Sequence, residues 1–268
     1  MKKLSILSVI VFSAIAIMAQ NHEIDPKLTE VWEPVPEVVT PGTDGSAPSD
    51  AIVLFDGSDL SEWQNPQFKG EGRTVDQVAE MLKKRDDDYA HSKAGWTVEK
   101  GEIVVNPGNG AIETKKRFDN FQLHIEWLSP KDDGKSDQAY SNSGIFLMSL
   151  YELQVLNSFE NKTYPNGQAG SIYKQAIPLV NASLPPDEWQ TYDVVFTGPE
   201  FDESGKVISP AYVTVFQNGV LVQNHIELKG PTVYIGKSRY VPHPEKMPLR
   251  LQDHGDKVRY RNIWIREL

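Results

Sequence analysis

Cysteine is absent from all 268 residues. That excludes a disulfide framework, thiolate zinc, Fe–S clusters, a cysteine nucleophile and a thiol for lipoprotein acylation. Basic runs are missing too. Lys and Arg total 27 against 37 Asp and Glu, a formal net charge of −10, and the pI is near 5.1. A protein that neutralises phosphates shows the opposite balance at least locally, so nucleic acid is not an expected partner. There is no phosphate-cradling glycine loop, no H-E-x-x-H and no G-x-S-x-G, which removes support for nucleotide, zinc-protease and serine-hydrolase readings. No repeat of roughly 20–50 residues is visible, which argues against a propeller.

What remains is an ordinary globular composition: 39% apolar, 24% charged, 18 Pro, 19 Gly, 6 Trp, 10 Tyr and 10 Phe. It suits many short strands joined by turns. The first residues stand apart. Lys2 and Lys3 precede an uncharged apolar run, Leu4 to Met18, followed by Ala19. Residues 1–19 therefore read as a secretory signal peptide, and the expectation is an exported protein, periplasmic or extracellular. The alternative is the same segment left uncleaved as an anchor; no other membrane association is expected. Without the leader's two lysines the chain is nearer −12. Residues 20–50 contain Pro26, Pro34, Pro36, Pro41 and Pro48 and read as an extended arm, with Trp32 a candidate anchor. The folded domain is expected over residues 51–268.

Within it the dominant signal is short-range alternation. Phe121, Leu123, Ile125 and Trp127 face one way, and Gln122, His124 and Glu126 the other. Further strands are expected at 52–55, 96–99, 102–105, 111–114, 144–148, 151–156, 189–196, 211–217, 220–226, 249–254 and 258–266. Asn218-Gly219 between two apolar alternations is the strongest hairpin signal. One helix is expected near 75–85, where Thr74 and Gln77 form a capping box ahead of Val75, Val78, Met81 and Leu82. The acidic run Asp86-Asp87-Asp88 reads as its solvated end. These elements predict an all-β fold, a sandwich of two antiparallel sheets with one short inserted helix.

Nine segments carry a more specific signal. They are LFDGSDLSEW (54–63), GWTVEKGEIVV (95–105), FDNFQLHIEW (118–127), NSGIFL (142–147), YELQVL (151–156), GSIY (170–173), EWQTYDVV (188–195), LQDHG (251–255) and RNIWI (261–265). In this order they closely resemble the 3-keto-disaccharide hydrolase family, across essentially the whole of residues 50–268. The resemblance implies a concanavalin-like jelly-roll sandwich. It also implies an enzyme acting on glycosides whose C3 hydroxyl has been oxidised to a ketone. Such a ketone acidifies the C2 proton, so a base removes it and the anomeric substituent leaves by β-elimination; water adds back where the net reaction is hydrolysis. The chemistry calls for a base near C2–H, donors or a cation for the oxyanion, and an acid for the leaving oxygen.

Within the matching blocks, His254, Glu152 and Glu126 are the candidate catalytic groups. The same three are candidate ligands for one divalent ion, with Ca²⁺, Mn²⁺ and Zn²⁺ all open. No organic cofactor is expected. Glu152 and Gln154 share a strand face like the Glu-x-Asp strand of concanavalin-like glycosidases. Here, however, Gln154 replaces the acid and Leu156 stands where another Glu would be needed. A retaining glycosidase needs two carboxylates about 5–5.5 Å apart, so direct glycosidic hydrolysis is disfavoured. In Gln252-Asp253-His254-Gly255, Gln252 and His254 share one face and Asp253 takes the other. Candidate substrate-binding residues are Gln154, Arg261, Asn142, Tyr173, Lys174 and Gln252. Each has a plainer reading as ion pair, turn or solvated side chain. The competing functional reading is a non-catalytic carbohydrate-binding sandwich, with scattered acids and an aromatic platform. An enzyme should instead gather Glu126, Glu152 and His254 in one cleft. The expected partner is an oxidised sugar; nothing in the sequence fixes the oligomeric state.

Overall fold

The computed structural model describes residues 26–68, 72–86, 92–132 and 134–268. Residues 1–19, read from sequence as a signal peptide, and Asp87-Asp88 lie outside the described residues. The chain divides into two units, residues 1–39 and 40–268. In the first, Pro26–Thr29 form a single 3₁₀ turn, and Leu28, Val31, Trp32, Val35 and Val38 are exposed. Among the described residues no helix is long and apolar enough to cross a membrane.

The second unit is built from strands β1 (Ile52–Phe55), β2 (Trp63–Gln64), β3 (Thr97–Glu99), β4 (Glu102–Val104), β5 (Ile112–Phe118), β6 (Phe121–Leu128), β7 (Ser143–Leu147), β8 (Tyr151–Val155), β9 (Trp189–Thr197), β10 (Glu200–Phe201), β11 (Val207–Ser209), β12 (Tyr212–Gln217), β13 (Val220–Glu227), β14 (Met247–Leu251) and β15 (Arg259–Glu267), with helix α1 (Val75–Lys83) between β2 and β3. The larger sheet has eight strands, ordered β13-β12-β9-β6-β15-β4-β3 with β1 also on β15; the smaller runs β2-β5-β14-β7-β8. All pairings are antiparallel. This is the sandwich of two antiparallel sheets expected from the alternation, and it agrees with the jelly roll that the family resemblance implies. Three strands carried no signal long enough to read: β2 and the β10–β11 ribbon, two or three residues each.

Alternation decides which residues enter the core. Phe121, Leu123, Ile125 and Trp127 of β6 are at most 1% exposed, as are Tyr151, Leu153 and Val155 of β8 and Tyr192, Val194 and Phe196 of β9. Phe196 packs against Phe121 at 5.2 Å and against Tyr151 of the opposite sheet at 5.7 Å. Each such side chain contributes roughly 1.5–3 kcal/mol by burial. Two buried hydroxyls also tie the sheets together where the site will lie. Tyr192 donates to the Gln154 carbonyl at 2.8 Å, and Tyr260 donates to Ser143 Oγ at 2.7 Å, which itself donates to the Gln252 carbonyl.

The helix starts where the capping box places it: Gln77 N–H donates to Thr74 Oγ1, and Thr74 N–H to Gln77 Oε1. The Asn218-Gly219 turn has φ of +52° and +77°, a conformation that glycine and asparagine tolerate, and it joins β12 to β13. The two sheets differ on their outer faces. Strands β7, β8 and β14 are buried at every position, whereas β9 and β12 alternate buried with partly open positions. The outer face of the smaller sheet is therefore covered.

Candidate active site

Beneath that cover lies a cleft of about 520 Å³. Its floor follows from strand register. Gly144 pairs with Gln154, and Phe146 with Glu152; on the other side Gln252 N–H donates to the Gly144 carbonyl at 2.9 Å. One row across the sheet therefore reads Gln154, Gly144, Gln252, and the next Glu152, Phe146, Arg250, Glu113. Gly144 leaves a gap in the first row. The Glu152 carboxylate leans into it, so that a Cβ on residue 144 would stand 2.7 Å from Glu152 Oε1. Glu152 is 5% exposed, and its N–H donates to Thr232 Oγ1 at 2.9 Å. Among the described residues lining the cleft it is the only carboxylate.

Gln154 is oriented by its surroundings. Its Nε2 donates to Asn142 Oδ1 and to the carbonyls of Ser143 and Val155. Three acceptors around one atom settle which end of the amide is nitrogen. The residue is 1% exposed, yet Oε1 has no hydrogen-bond partner. A buried acceptor left in this state is ready for a ligand hydroxyl. Asn142 and Gln138 line the same wall, and Gln138 Oε1 is likewise unpartnered.

His254 reaches the cleft from an exposed rim. Strand β14 ends at Leu251, so Gln252 to Gly255 is a loop rather than the strand expected to 254. The alternation nevertheless persists. Gln252 and His254 line the cleft, and Asp253 turns away to accept Gly108 and Gly110 N–H on Oδ2 and Gly255 N–H on Oδ1. Asp256 accepts Asn142 N–H at 2.8 Å and pairs with Lys135. Two carboxylates thus pin the loop on either side of the histidine.

The opposite wall is phenolic. Tyr164 and Tyr173 share a hydroxyl–hydroxyl bond of 2.8 Å. Burial pushes both phenols above their ordinary range, and Tyr173 is raised further by its bond to Tyr164 and by nearby negative charge, including Glu152. Both stay protonated near neutrality, and since one O–H is used within the pair, the other remains to donate into the cleft. Tyr234 closes this side, with Arg73 5.1 Å from its ring centroid.

Three sequence-named residues lie elsewhere. Glu126 is on the outer face of the larger sheet, not in the cleft. Its Oε2 accepts Arg261 Nε at 2.6 Å and its Oε1 accepts Asn262 Nδ2 at 2.8 Å. Arg261 is used in this ion pair and packs over Trp189 at 4.0 Å. A bulge in β15 between Arg261 and Trp264, with Asn262 at φ +45°, lets both residues flank Glu126. Beside them His124 meets Asp193 at 2.7 Å and stacks on Trp264. Residues 40–50, read from sequence as part of the arm, lie across this cluster. The Gly45 carbonyl accepts Trp264 Nε1 and Asn262 Nδ2, and Asp50 pairs with Arg266. Lys174 is also outside the cleft lining: its ammonium donates to the Tyr234 carbonyl at 2.7 Å and sits 4.0 Å above that ring, so it fastens the Tyr234 loop. The ligand triad Glu126, Glu152 and His254 therefore does not assemble, and among the described residues no three His, Asp or Glu side chains converge on a metal position. The cleft offers a divalent ion one carboxylate, one imidazole and amide oxygens, which is not the expected set.

Arg73, Gln138, Phe146, Tyr164, Thr232 and Tyr234 also line the cleft without having been singled out from sequence. Arg73 sits just ahead of the capping box, which drew attention to the helix start alone. Tyr234 lies in a loop with no motif.

A jelly-roll sandwich with amides, phenols, a carboxylate and an imidazole around one cleft has the make-up of a carbohydrate-active protein. Comparison with known families makes this specific: residues 50–266 match the model of the 3-keto-alpha-glucoside-1,2-lyase-like domain, and the chain belongs to that family. It is similar to a crystal structure from Parabacteroides distasonis ATCC 8503 named a "putative glycosyl hydrolase", with 45% identity over 91% of this chain and 97% of that one, at a TM-score of 0.79. A second structure of the same name and organism is 20% identical over 82% of this chain and 94% of that one, at a TM-score of 0.54, and shares the fold. No curated protein matches the chain significantly. Fold, family and neighbour together define a carbohydrate-processing enzyme.

Proposed function

We propose that the chain cleaves 3-keto-glycosides by eliminating the anomeric substituent. The observation that supports this is the pairing of one carboxylate with one imidazole in a cleft rich in neutral donors. Glu152, on the floor, takes the C2 proton, and the C2–H electrons move into a C2–C3 enolate. Donors from the amide and phenol walls hold the developing C3 oxyanion. The C3 carbonyl then re-forms, C1–C2 becomes a double bond, and the C1–O bond breaks with its electrons on the leaving oxygen. His254, at the rim, gives that oxygen a proton. Where water enters, it adds to C1 and C2 is protonated, giving net hydrolysis. A two-carboxylate glycosidase has less support, because no second acid among the described residues lines the cleft. The apolar leader after Lys2 and Lys3 supports export, where the substrate would be an oxidised sugar.

Dependence on the ketone tests the mechanism. General-base help contributes about 10²–10⁴-fold, far too little to remove an unactivated C2 proton. Cleavage is expected for 3-keto-glycosides and not for their unoxidised parents, with near-complete loss in Glu152→Gln and His254→Ala. Turnover in D₂O should place deuterium at C2 of the hydrated product. Parallel runs with a chelator read any need for a metal ion. Equal rates on oxidised and parent sugars would overturn the proposal, and tight binding of both without turnover would favour a carbohydrate-binding module.

A further inference from the structure

The cleft has an apolar annex. Val78, Met81 and Leu82 of α1 close a cavity of about 50 Å³ against Phe146, Leu150 and Met247. Gly72, Phe146 and Thr232 line both spaces, so the annex opens beside Glu152. By the same measure a single water needs about 10–15 Å³. The annex therefore holds a few waters' worth of space, the size of one aromatic ring. A second sugar would set most of its hydroxyls against the valine, methionine, leucine and phenylalanine side chains that make up much of the lining.

Polar side chains share this wall, Gln67, Arg85, Ser149, Thr232 and Arg250 among them, and one carboxylate stands with them. Glu113, on β5, is 2% exposed, and its Oε1 has no hydrogen-bond partner. A carboxylate oxygen accepts hydrogen bonds, so what is missing is a donor. Its place in the sheet fixes the reach. Glu113 and Glu152 lie in one row on β5 and β8, three strand spacings apart through β14 and β7, or about 14 Å between backbones. That distance suits one sugar ring joined to one aromatic ring, with a contact at each end.

We propose that the annex is the leaving-group subsite and that the substrate is a phenolic glycoside, its ring beneath α1 and its free hydroxyl donating to Glu113. This rests on the elimination reading for the sugar end, but the annex can be tested by binding alone. With the intact protein, calorimetric titration would compare methyl, phenyl and 4-hydroxyphenyl glucosides. Phenyl should bind about tenfold tighter than methyl, and 4-hydroxyphenyl about fivefold tighter again. Glu113→Ala should erase the hydroxyl gain and keep the ring gain. Met81→Trp should erase the ring gain and leave methyl glucoside binding unchanged. Glu113→Gln, which preserves volume, serves where Glu113→Ala fails to fold, and should reduce the hydroxyl preference. Equal affinities for phenyl and methyl glucosides in the wild type would overturn the proposal, as would a hydroxyl preference that survives both Glu113 variants. Turnover of the matching 3-keto compounds separates the two ideas. Aryl preference without turnover sinks the elimination reading and leaves the subsite, whereas turnover indifferent to the aglycone does the reverse.

Discussion

Replacing Gly144 by alanine isolates the seating of Glu152. The new Cβ would stand 2.7 Å from Glu152 Oε1, 3.1 Å from its Cγ and 3.0 Å from Phe146 Cε2. Ordinary contact starts near 3.4 Å, so the carboxylate must retreat by about 0.7 Å (3.4 less 2.7). Stability should hardly register this. Alanine gains about 0.5–1 kcal/mol over glycine in a strand interior, and local overpacking costs about 1 kcal/mol or somewhat more. The thermal midpoint should stay within about 4 °C of wild type. Catalysis should register it strongly, because a misplacement near 1 Å costs up to about 10²-fold. The expected result is a ten- to hundredfold fall in kcat/KM on a 3-keto-glucoside, carried mainly by kcat. The same substitution made in Glu152→Gln should cost almost nothing more, since the displaced group is already disabled. If Gly144→Ala keeps kcat/KM within about twofold, or its full loss recurs in the double variant, Gly144 is not there to seat a catalytic carboxylate.

Three further outcomes are expected. Arg261→Met and Glu126→Gln should leave turnover within about twofold while lowering stability by about 1 kcal/mol, read by urea denaturation. Burial raises the Glu126 carboxyl, but its bonds to Asn262 and Arg261 outweigh this and hold it below the usual 4.5. Its contribution is therefore present above pH 4.5 and fades as pH falls through the lowered value, where wild type and Glu126→Gln should converge. Burial depresses the His243 imidazole below 6.5, against a weaker opposing bond to the Pro244 carbonyl. The unfolded chain then binds a proton that the folded one refuses, so stability should decline as pH drops below 6.5, and His243→Gln should flatten that slope. Asp253→Ala removes the acceptor for three backbone N–H groups. Hydrogen exchange should rise at 106–110 and 252–256, with activity falling as His254 loses its support.

Strand alternation was legible because period two is a local property. It correctly put Glu126 opposite Trp127 and Glu152 opposite Tyr151, and so placed both carboxylates outside the core. It could not say that the two strands belong to different sheets, whose outer faces point away from each other. That is a matter of strand order, set by long-range pairings such as β6 with β15 and β7 with β14. The bulge that turns Arg261 and Asn262 toward Glu126 was hidden for the same reason, since it depends on the partner strand. Lys174 misled differently. Its neighbour Tyr173 does face the cleft, but at φ +59° the backbone turns and sends the ammonium to the Tyr234 loop. Gln154 and His254 were found through motif resemblance. Arg73 and Tyr234 had neither periodicity nor motif to mark them, and only the folded chain brings them to the site.

The strap over Trp264 changes where the protein can safely be cut. Thr40 and Ser49 close it on itself, the Ser49 N–H donating to the Thr40 carbonyl and the Thr40 N–H to Ser49 Oγ. A protein trimmed to the family match, residues 50–266, would strip the acceptor from the Trp264 indole and open the His124 ring to water. It would also remove Glu267, which binds Lys116 and Lys246 at the far end of β15. The compact unit extends beyond the recognisable family segment by ten residues at one end and two at the other, 40–49 and 267–268.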